Sequence, residues 1–316
     1  MPAQSRVNIR FATVGVPWAG RMPTSCVRAA RQAGLAFKTR GLNILLEAVS
    51  RSLAARDTRR CPHCDSGSHA ILAAYSSGDW KIAACRDCGF VYLRNPPKYE
   101  RLMDEFAWEK TRDAEVKRRR SSRPIRKWLD EHTRWRSSLF RPSFAGQIRK
   151  MFPPGRILDV GCGAGREIPE PYVPFGIEIS RALAAEAQDY MTSRGGRAIH
   201  APALEGIRQF DSNTFSGIML RSFLEHEVEP KALLREASRV LADNGRIYVR
   251  VPNFGSINRR LSGAQWCGFR YPDHVNYFST RSLRAMAEDC GLSLRLTNPL
   301  LFVFNDNINA ILQRKV

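Results

Sequence analysis

The sequence predicts an α/β protein: a mostly parallel sheet in the second half, preceded by a small cysteine-held β unit and a helical stretch. Three observations carry this. From Arg156 onward, short apolar runs alternate with helical segments, the pattern of strand–helix units around a parallel sheet. The first run, Arg156–Val160, leads into the glycine-rich turn Gly161-Cys-Gly-Ala-Gly165, which lets backbone pass close to a ligand. Two Cys-x-x-Cys pairs, Cys61/Cys64 and Cys85/Cys88, stand ahead of it with 20 residues between them.

The chain has 316 residues, enough for one α/β domain and a smaller unit. No apolar run approaches the ~20 residues of a membrane span. No secretory-type apolar core opens the chain, so the expected location is cytoplasmic. The net charge of +20 is uneven: residues 1–60 carry 11 basic and 2 acidic side chains, 101–155 carry 15 and 7, and 156–316 carry 20 and 17. The excess before residue 156 suits a phosphate-rich or anionic partner, nucleic acid among them. The near balance after it argues against a long nucleic acid lying across the second half.

Residues 1–55 are Arg- and Ala-rich, with Glu47 the first acid. A basic, disordered extension is the favoured reading, and a transit peptide the other; Leu42–Leu53 suits one amphipathic helix. Over 56–98, four thiolates at knuckle spacing suit tetrahedral Zn²⁺ at Cys61, Cys64, Cys85 and Cys88. Gly89 follows the second knuckle and Asp65 holds the matching place after the first. Ala70–Tyr75, Trp80–Ala84 and Phe90–Leu93 read as short strands, so the unit looks like a structural zinc ribbon. A redox Cys-x-x-Cys or a disulfide pair is the alternative.

Residues 99–150 read as a basic helical linker or lid, with helices at Tyr99–Ala107, Thr111–Arg120 and Arg126–Phe140, interrupted at Pro124. Lys117–Arg120 is four basic residues in a row, either a solvated helix face or a phosphate contact. From 151 the α/β domain follows. Its expected strands are Arg156–Val160, Pro174–Ile179, Arg197–Ala201, Phe215–Leu220, Arg246–Val251, Leu292–Thr297 and Ile308–Gln313. Its helices are Ser180–Ser193, Pro230–Leu241 and Thr280–Cys290, the last capped by Ser279 and ended by Gly291. Pro169 and Pro171 leave only a stunted helix after the first strand. The turn Asp243-Asn244-Gly245 precedes the fifth.

Glu178 closes the second strand 19 positions after Asp159. An acid there takes both ribose hydroxyls of an adenosine ligand. The glycines follow a GxGxG spacing rather than the GxGxxG of a dinucleotide-binding domain. The Asp-x-Gly-x-Gly-x-Gly form, the position of Glu178 and the run Phe-Ser-Gly-Ile-Met-Leu-Arg-Ser-Phe-Leu-Glu-His (215–226) resemble the class I S-adenosylmethionine (SAM)-dependent methyltransferases. The resemblance covers the second half of the chain. It implies a Rossmann-like seven-stranded sheet closed by an antiparallel hairpin, with SAM as cofactor. It places Asp159 and the loop Gly161, Cys162, Gly163 and Gly165 on the methionine part, beside the N-terminus of the next helix. It places Glu178 on the ribose, Ile179 on the adenine, and Leu220 and Arg221 along the methionine. The acid that often meets the adenine amino group is missing; Pro202 stands there. A ribbon ahead of such a domain is similar to that of sugar C-methyltransferases, whose ribbon exit residues 85–97 resemble.

Glu225 and His226 follow the fourth strand, where the acceptor lies in this fold. A His there serves as general base or merely orients the turn. In residues 271–278, His274 and Tyr277 line the acceptor pocket or pack as an aromatic loop over the sheet edge; Trp266 and Phe269 are expected in the same mobile loop. The leading reading is a methyltransferase for a small molecule: a sugar, a lipid-linked or a phosphorylated metabolite. The alternatives are an RNA or ribosomal-protein methyltransferase docking through the ribbon and basic helix, and a non-catalytic zinc-dependent binding protein.

Overall fold

A computed structural model of the chain describes residues 58–97, 143–297, 299 and 305–315. The readings for 1–55, for the helices between Tyr99 and Phe140 and for Lys117–Arg120 lie outside these residues. Among the described residues, no helix is long and apolar enough to cross a membrane.

The cysteine unit contributes β1 (His69–Ile71), β2 (Ile82–Cys85) and β3 (Val91–Leu93) as an antiparallel meander. They follow the expected stretches, except that β1 starts one residue early and stops at Ile71, ahead of the 3₁₀ helix Ala73–Tyr75, and β2 starts at Ile82 and runs one residue past Ala84, to Cys85. The main sheet holds β4 (Arg156–Val160), β5 (Val173–Glu178), β6 (Arg197–His200), β7 (Phe215–Arg221) and β8 (Leu241–Pro252), all parallel. The two-residue β9 (Asn276–Tyr277) belongs elsewhere, and β10 (Leu292–Leu296) with β11 (Asn307–Arg314) forms the antiparallel edge. The order across the sheet is β10-β11-β8-β7-β4-β5-β6. Strand β4 lies inside the sheet between β7 and β5, and Ile157, Leu158 and Val160 along it are all buried, the continuous apolar run that a sheet covered on both faces requires.

Strand β8 starts at Leu241, five residues earlier than expected. The register against β7 jumps from Phe215↔Leu241 to Gly217↔Arg246. The predicted Asp243–Gly245 turn is thus absorbed as a bulge inside one strand.

Six helices stand among the described residues: α1 (Phe144–Met151), α2 (Arg181–Thr192), α3 (Ala203–Arg208), α4 (Pro230–Val240), α5 (Ile257–Ser262) and α6 (Thr280–Glu288). Their starts follow local chemistry. The hydroxyls of Ser143, Ser180, Ser256 and Ser279 each accept a first-turn N–H. Ser279 and Ser282 cap each other reciprocally. Helices α1, α3 and α5 are additions to the sequence reading. Ile148 of α1 and the adjoining Phe152 are buried in one cluster with Ile157 and Met219. A domain boundary at 150/151 therefore cuts through an element that belongs to the sheet's core.

Three expectations are corrected here. No helix stands between β4 and β5: residues 161–172 are turns. Pro169 and Pro171 remove two backbone donors from a segment already too short for a stable helix. Second, the cysteine unit is not a separate body. Strand β3 pairs with β9, giving a four-stranded sheet β1-β2-β3-β9 whose last strand comes from the segment after β8. Cys61, Cys85, Phe90 and Tyr92 share one apolar cluster with the main sheet, and Phe90 meets Phe278 edge-on at 5.2 Å. Trp266 and Phe269 are fixed, not mobile. Both are buried against Ile82, Val91 and Leu93, and Trp266 Nε1 donates to Asp306 Oδ1 at 3.1 Å.

Candidate active site

The loop after β4 is built from its glycines. Gly161, Gly163 and Gly165 have φ of 74°, 55° and 75°, a region that side-chain-bearing residues avoid. A Cβ on Gly161 would stand 2.7 Å from the Phe223 ring, and one on Gly165 2.8 Å from Met191. At Gly163 the same direction is open, so the middle of the loop faces free space. The backbone is pinned on its other side: Gly161 and Cys162 both donate to Ile177 O, at 2.8 and 3.2 Å. Cys162 is buried against Gly176, where any Cβ would collide with its sulfur. Small size accounts for it.

Glu178, at the end of β5, reaches across this loop. One carboxylate oxygen accepts from Gly163 N and the other from Ser180 N, both at 2.8 Å. Each oxygen keeps a lone pair for a further donor. Asp159 lies deeper. Burial, reinforced by the carboxylates of Glu167 and Glu178 against the opposing Arg221, pushes it up to about 8. The wall is thus rich in carboxylates, and Arg221 is already engaged in an ion pair with Glu167. Its guanidinium also lies 4.6 Å from the ring centre of Phe144 on α1. Leu220 beside it is fully buried. Ile179 is partly buried and its carbonyl accepts from His200 Nε2 at 3.0 Å. Pro202 caps α3, so a helix start occupies the place of the missing acid.

Beyond β7 the backbone turns sharply at Ser222, whose φ is 55°, a strained value for a non-glycine residue. Glu225 and His226 follow. His226 Nδ1 meets Asp273 Oδ1 at 2.8 Å and Asp273 O at 3.0 Å. Arg270 pairs with the other oxygen of Asp273 at 2.6 Å. The His274 ring stands edge-on to that of His226, 4.7 Å between centres, with Nδ1 2.8 Å from Gly268 O. Glu225 is 1 % exposed, and its Oε2 is buried with no hydrogen-bond partner. Tyr277, in β9, is buried, and its hydroxyl donates to His274 O at 2.9 Å. Of the two expected roles, packing is the one this contact fits: the hydroxyl is spent on holding the His274 backbone.

Residues 125–297 match the sequence profile of a family described as "Methyltransferase domain". The chain belongs to this methyltransferase family. It is similar to an uncharacterized protein of Methanocaldococcus jannaschii, 22% identical over 58% of this chain and 88% of the relative. It is also similar to a ubiquinone biosynthesis O-methyltransferase of Pseudomonas putida, 24% identical over 63% of this chain and 82% of that one. A malonyl-[acyl-carrier protein] O-methyltransferase of Alcanivorax borkumensis is 26% identical over 58% of this chain and 64% of its own length. Among solved structures, a SAM-dependent methyltransferase from Archaeoglobus fulgidus overlays 60% of this chain and all of its own, with 15% identity and a TM-score of 0.42. The protein is a SAM-dependent methyltransferase, and SAM is its cofactor.

In this methyltransferase the four cysteines converge. Cys61 Sγ lies 3.5 Å from Cys88 Sγ, and Cys64 Sγ 3.5 Å from Cys85 Sγ; all four are free thiols. Sulfurs 2.3 Å from one tetrahedral Zn²⁺ stand about 3.8 Å apart, so the donor set fits. The two knuckles are near copies. Asp65 N donates to Cys61 O and Gly89 N to Cys85 O, and both residues take positive φ, 57° and 74°.

Sequence reasoning missed the residues that tie this unit to the rest. Arg59 donates to Leu93 O and Val228 O, both at 2.9 Å, to Asn276 Oδ1 at 3.0 Å and to Val275 O. Burial draws its guanidinium down to about 10. Asn276 in turn donates to Leu224 O and Glu227 O, at 2.7 and 2.6 Å. Asp273, Glu167 and Asn276 lie in or near motifs that the sequence does mark, but nothing local says which group each would meet.

Proposed function

We propose that this methyltransferase acts on a small molecule, transferring methyl to an acceptor oxygen bound beyond the end of β7. The observation that carries the reading is the Gly161–Gly165 loop with its open face at Gly163, tethered to the Glu178 carboxylate and backed by Asp159. That crevice suits a cationic nucleoside. The free lone pairs of Glu178 take the ribose hydroxyls, the Glu167 carboxylate attracts the ammonium, and Asp159 ionises once that cation offsets the burial that raises it. The absent helix after β4 leaves Arg221 as the cation for the methionine carboxylate. When bound, SAM supplies an electrophilic methyl for an in-line displacement, in which alignment and exclusion of water account for much of the rate. Glu225, His226 and His274 form the acceptor end: Phe223, three residues before His226, lies against Gly161 of the loop.

An oxygen acceptor is supported by the two relatives named for O-methyl transfer. A small acceptor is supported by the near-neutral charge of residues 156–316. For the cysteine unit we read Cys61, Cys64, Cys85 and Cys88 as a structural Zn²⁺ site. Isothermal titration with SAM tests the main reading: Glu178→Ala should weaken binding by roughly 10–100-fold, the loss of two charge-assisted hydrogen bonds. Unchanged affinity would remove the assignment.

A further inference from the structure

We infer that Glu225, His226 and His274 form a site for a divalent first-row cation, with its open side toward the acceptor. One ligand atom from each residue lies within 4.8 Å of the others. Donors 2.0–2.2 Å from one ion stand at most about 4.4 Å apart, so a small rotamer change closes the set.

The support around the three residues is that of ligands rather than of a packed polar cluster. Each imidazole has its Nδ1 engaged, His226 by the Asp273 carboxylate and His274 by the Gly268 carbonyl. That fixes both rings and leaves Nε2 as the coordinating atom of each, the arrangement in which an outer carboxylate or carbonyl orients a metal-bound histidine. Glu225 Oε2 is buried without a hydrogen-bond donor, although buried carboxylate oxygens are otherwise paired. The two segments are locked in register: Glu225 O accepts from Val275 N at 2.8 Å and Asn276 N at 3.1 Å. The nearby cation, Arg270, is balanced by Asp273. Two imidazoles and one carboxylate leave coordination positions open, as in catalytic rather than structural metal sites. Access is on the His226 side, since its side chain is 28% exposed. What the ion would do, holding an acceptor oxygen, rests on the small-molecule reading above; the binding itself does not.

The test uses the full chain with its four cysteines loaded with Zn²⁺. Mn²⁺, which favours nitrogen and oxygen donors over thiolates, is titrated and followed by electron paramagnetic resonance. One saturable Mn²⁺ per chain is expected. His226→Ala should abolish it, and Asp273→Asn, which takes the outer carboxylate from both His226 and Arg270, should weaken it about 10–100-fold. SAM affinity measured on the same samples should stay at the wild-type value, which shows that the variants fold and keeps this result apart from the methyltransferase assignment. No saturable Mn²⁺ on the wild type, or equal binding by the variants, overturns the site.

Discussion

Asp159 and Glu178 sit 19 positions apart in sequence and on adjacent strands in space, yet they serve the crevice differently. Glu178 is satisfied by two backbone N–H groups, whereas Asp159 is held in a dry, carboxylate-rich corner. Burial, with the neighbouring acids, puts Asp159 at about 8. Burial alone is the main cause of the rise of Glu225 to about 7, opposed by His226. An acid whose folded value lies above its unfolded one favours the fold only while protonated. That contribution is complete below about pH 4 and is lost as the pH rises through 7 to 8. The SAM-free protein should therefore lose stability between these limits. Asp159→Asn should remove its share, leaving the variant more stable than wild type at pH 8 by up to roughly 5 kcal/mol and nearly equal at pH 4. Urea unfolding at the two pH values measures this. The sequence marks both acids, because strand ends and glycine turns are local patterns. It does not mark Asp273 as the partner of His226, 47 residues away, since that contact exists only once β9 is seated.

Among the elements, β9 decides the most. It is two residues long and has no strand-like periodicity to announce it, yet it ends the cysteine unit's sheet and carries the His274 segment. Asn276 shows how narrow the join is: its amide nitrogen serves two carbonyls and its oxygen takes Arg59. Only that orientation of the amide satisfies all three bonds. With the four cysteines read as a Zn²⁺ site, as proposed above, loss of the ion should be felt beyond them. After chelation, the amides of Leu93, Val275 and Asn276 should exchange with solvent at least about tenfold faster, while those of β4 and β7 keep their protection. Hydrogen exchange with and without chelator reads this directly. By contrast, α2, α4 and α6 were legible within one or two residues of their ends, because serine caps, the proline at the start of α4 and glycine stops act within one turn. The β4–β5 connection shows the limit of that method: two prolines were enough to predict a poor helix, but whether any helix would form depended on what the sheet left room for.

For the molecule as a whole, the cysteine unit and the main sheet share one core. Phe278, Tyr277, Trp266 and Phe269 are each covered in part by side chains from β2, β3 or Phe90. Uncovering a fully buried side chain of this size costs up to about 1.5–3 kcal/mol, and four of them approach the whole stability of a typical domain, about 5–15 kcal/mol. A chain beginning at residue 98 should therefore aggregate or melt without a cooperative transition, whereas the full chain melts its cysteine unit and sheet together; size exclusion and calorimetry distinguish the outcomes. Read alone, the sequence determined the strand–helix alternation, the glycine loop, the acid at the end of β5 and the cysteine knuckles. Each is written in neighbouring residues, where backbone sterics and hydrophobic period operate. The tertiary structure alone decided that β9 completes the cysteine unit, that Arg59 and Asn276 fasten it, and that Glu225, His226 and His274 meet. These contacts join segments tens to hundreds of residues apart, and their partners are chosen by packing and by the need of buried polar groups for a mate, which no local pattern records.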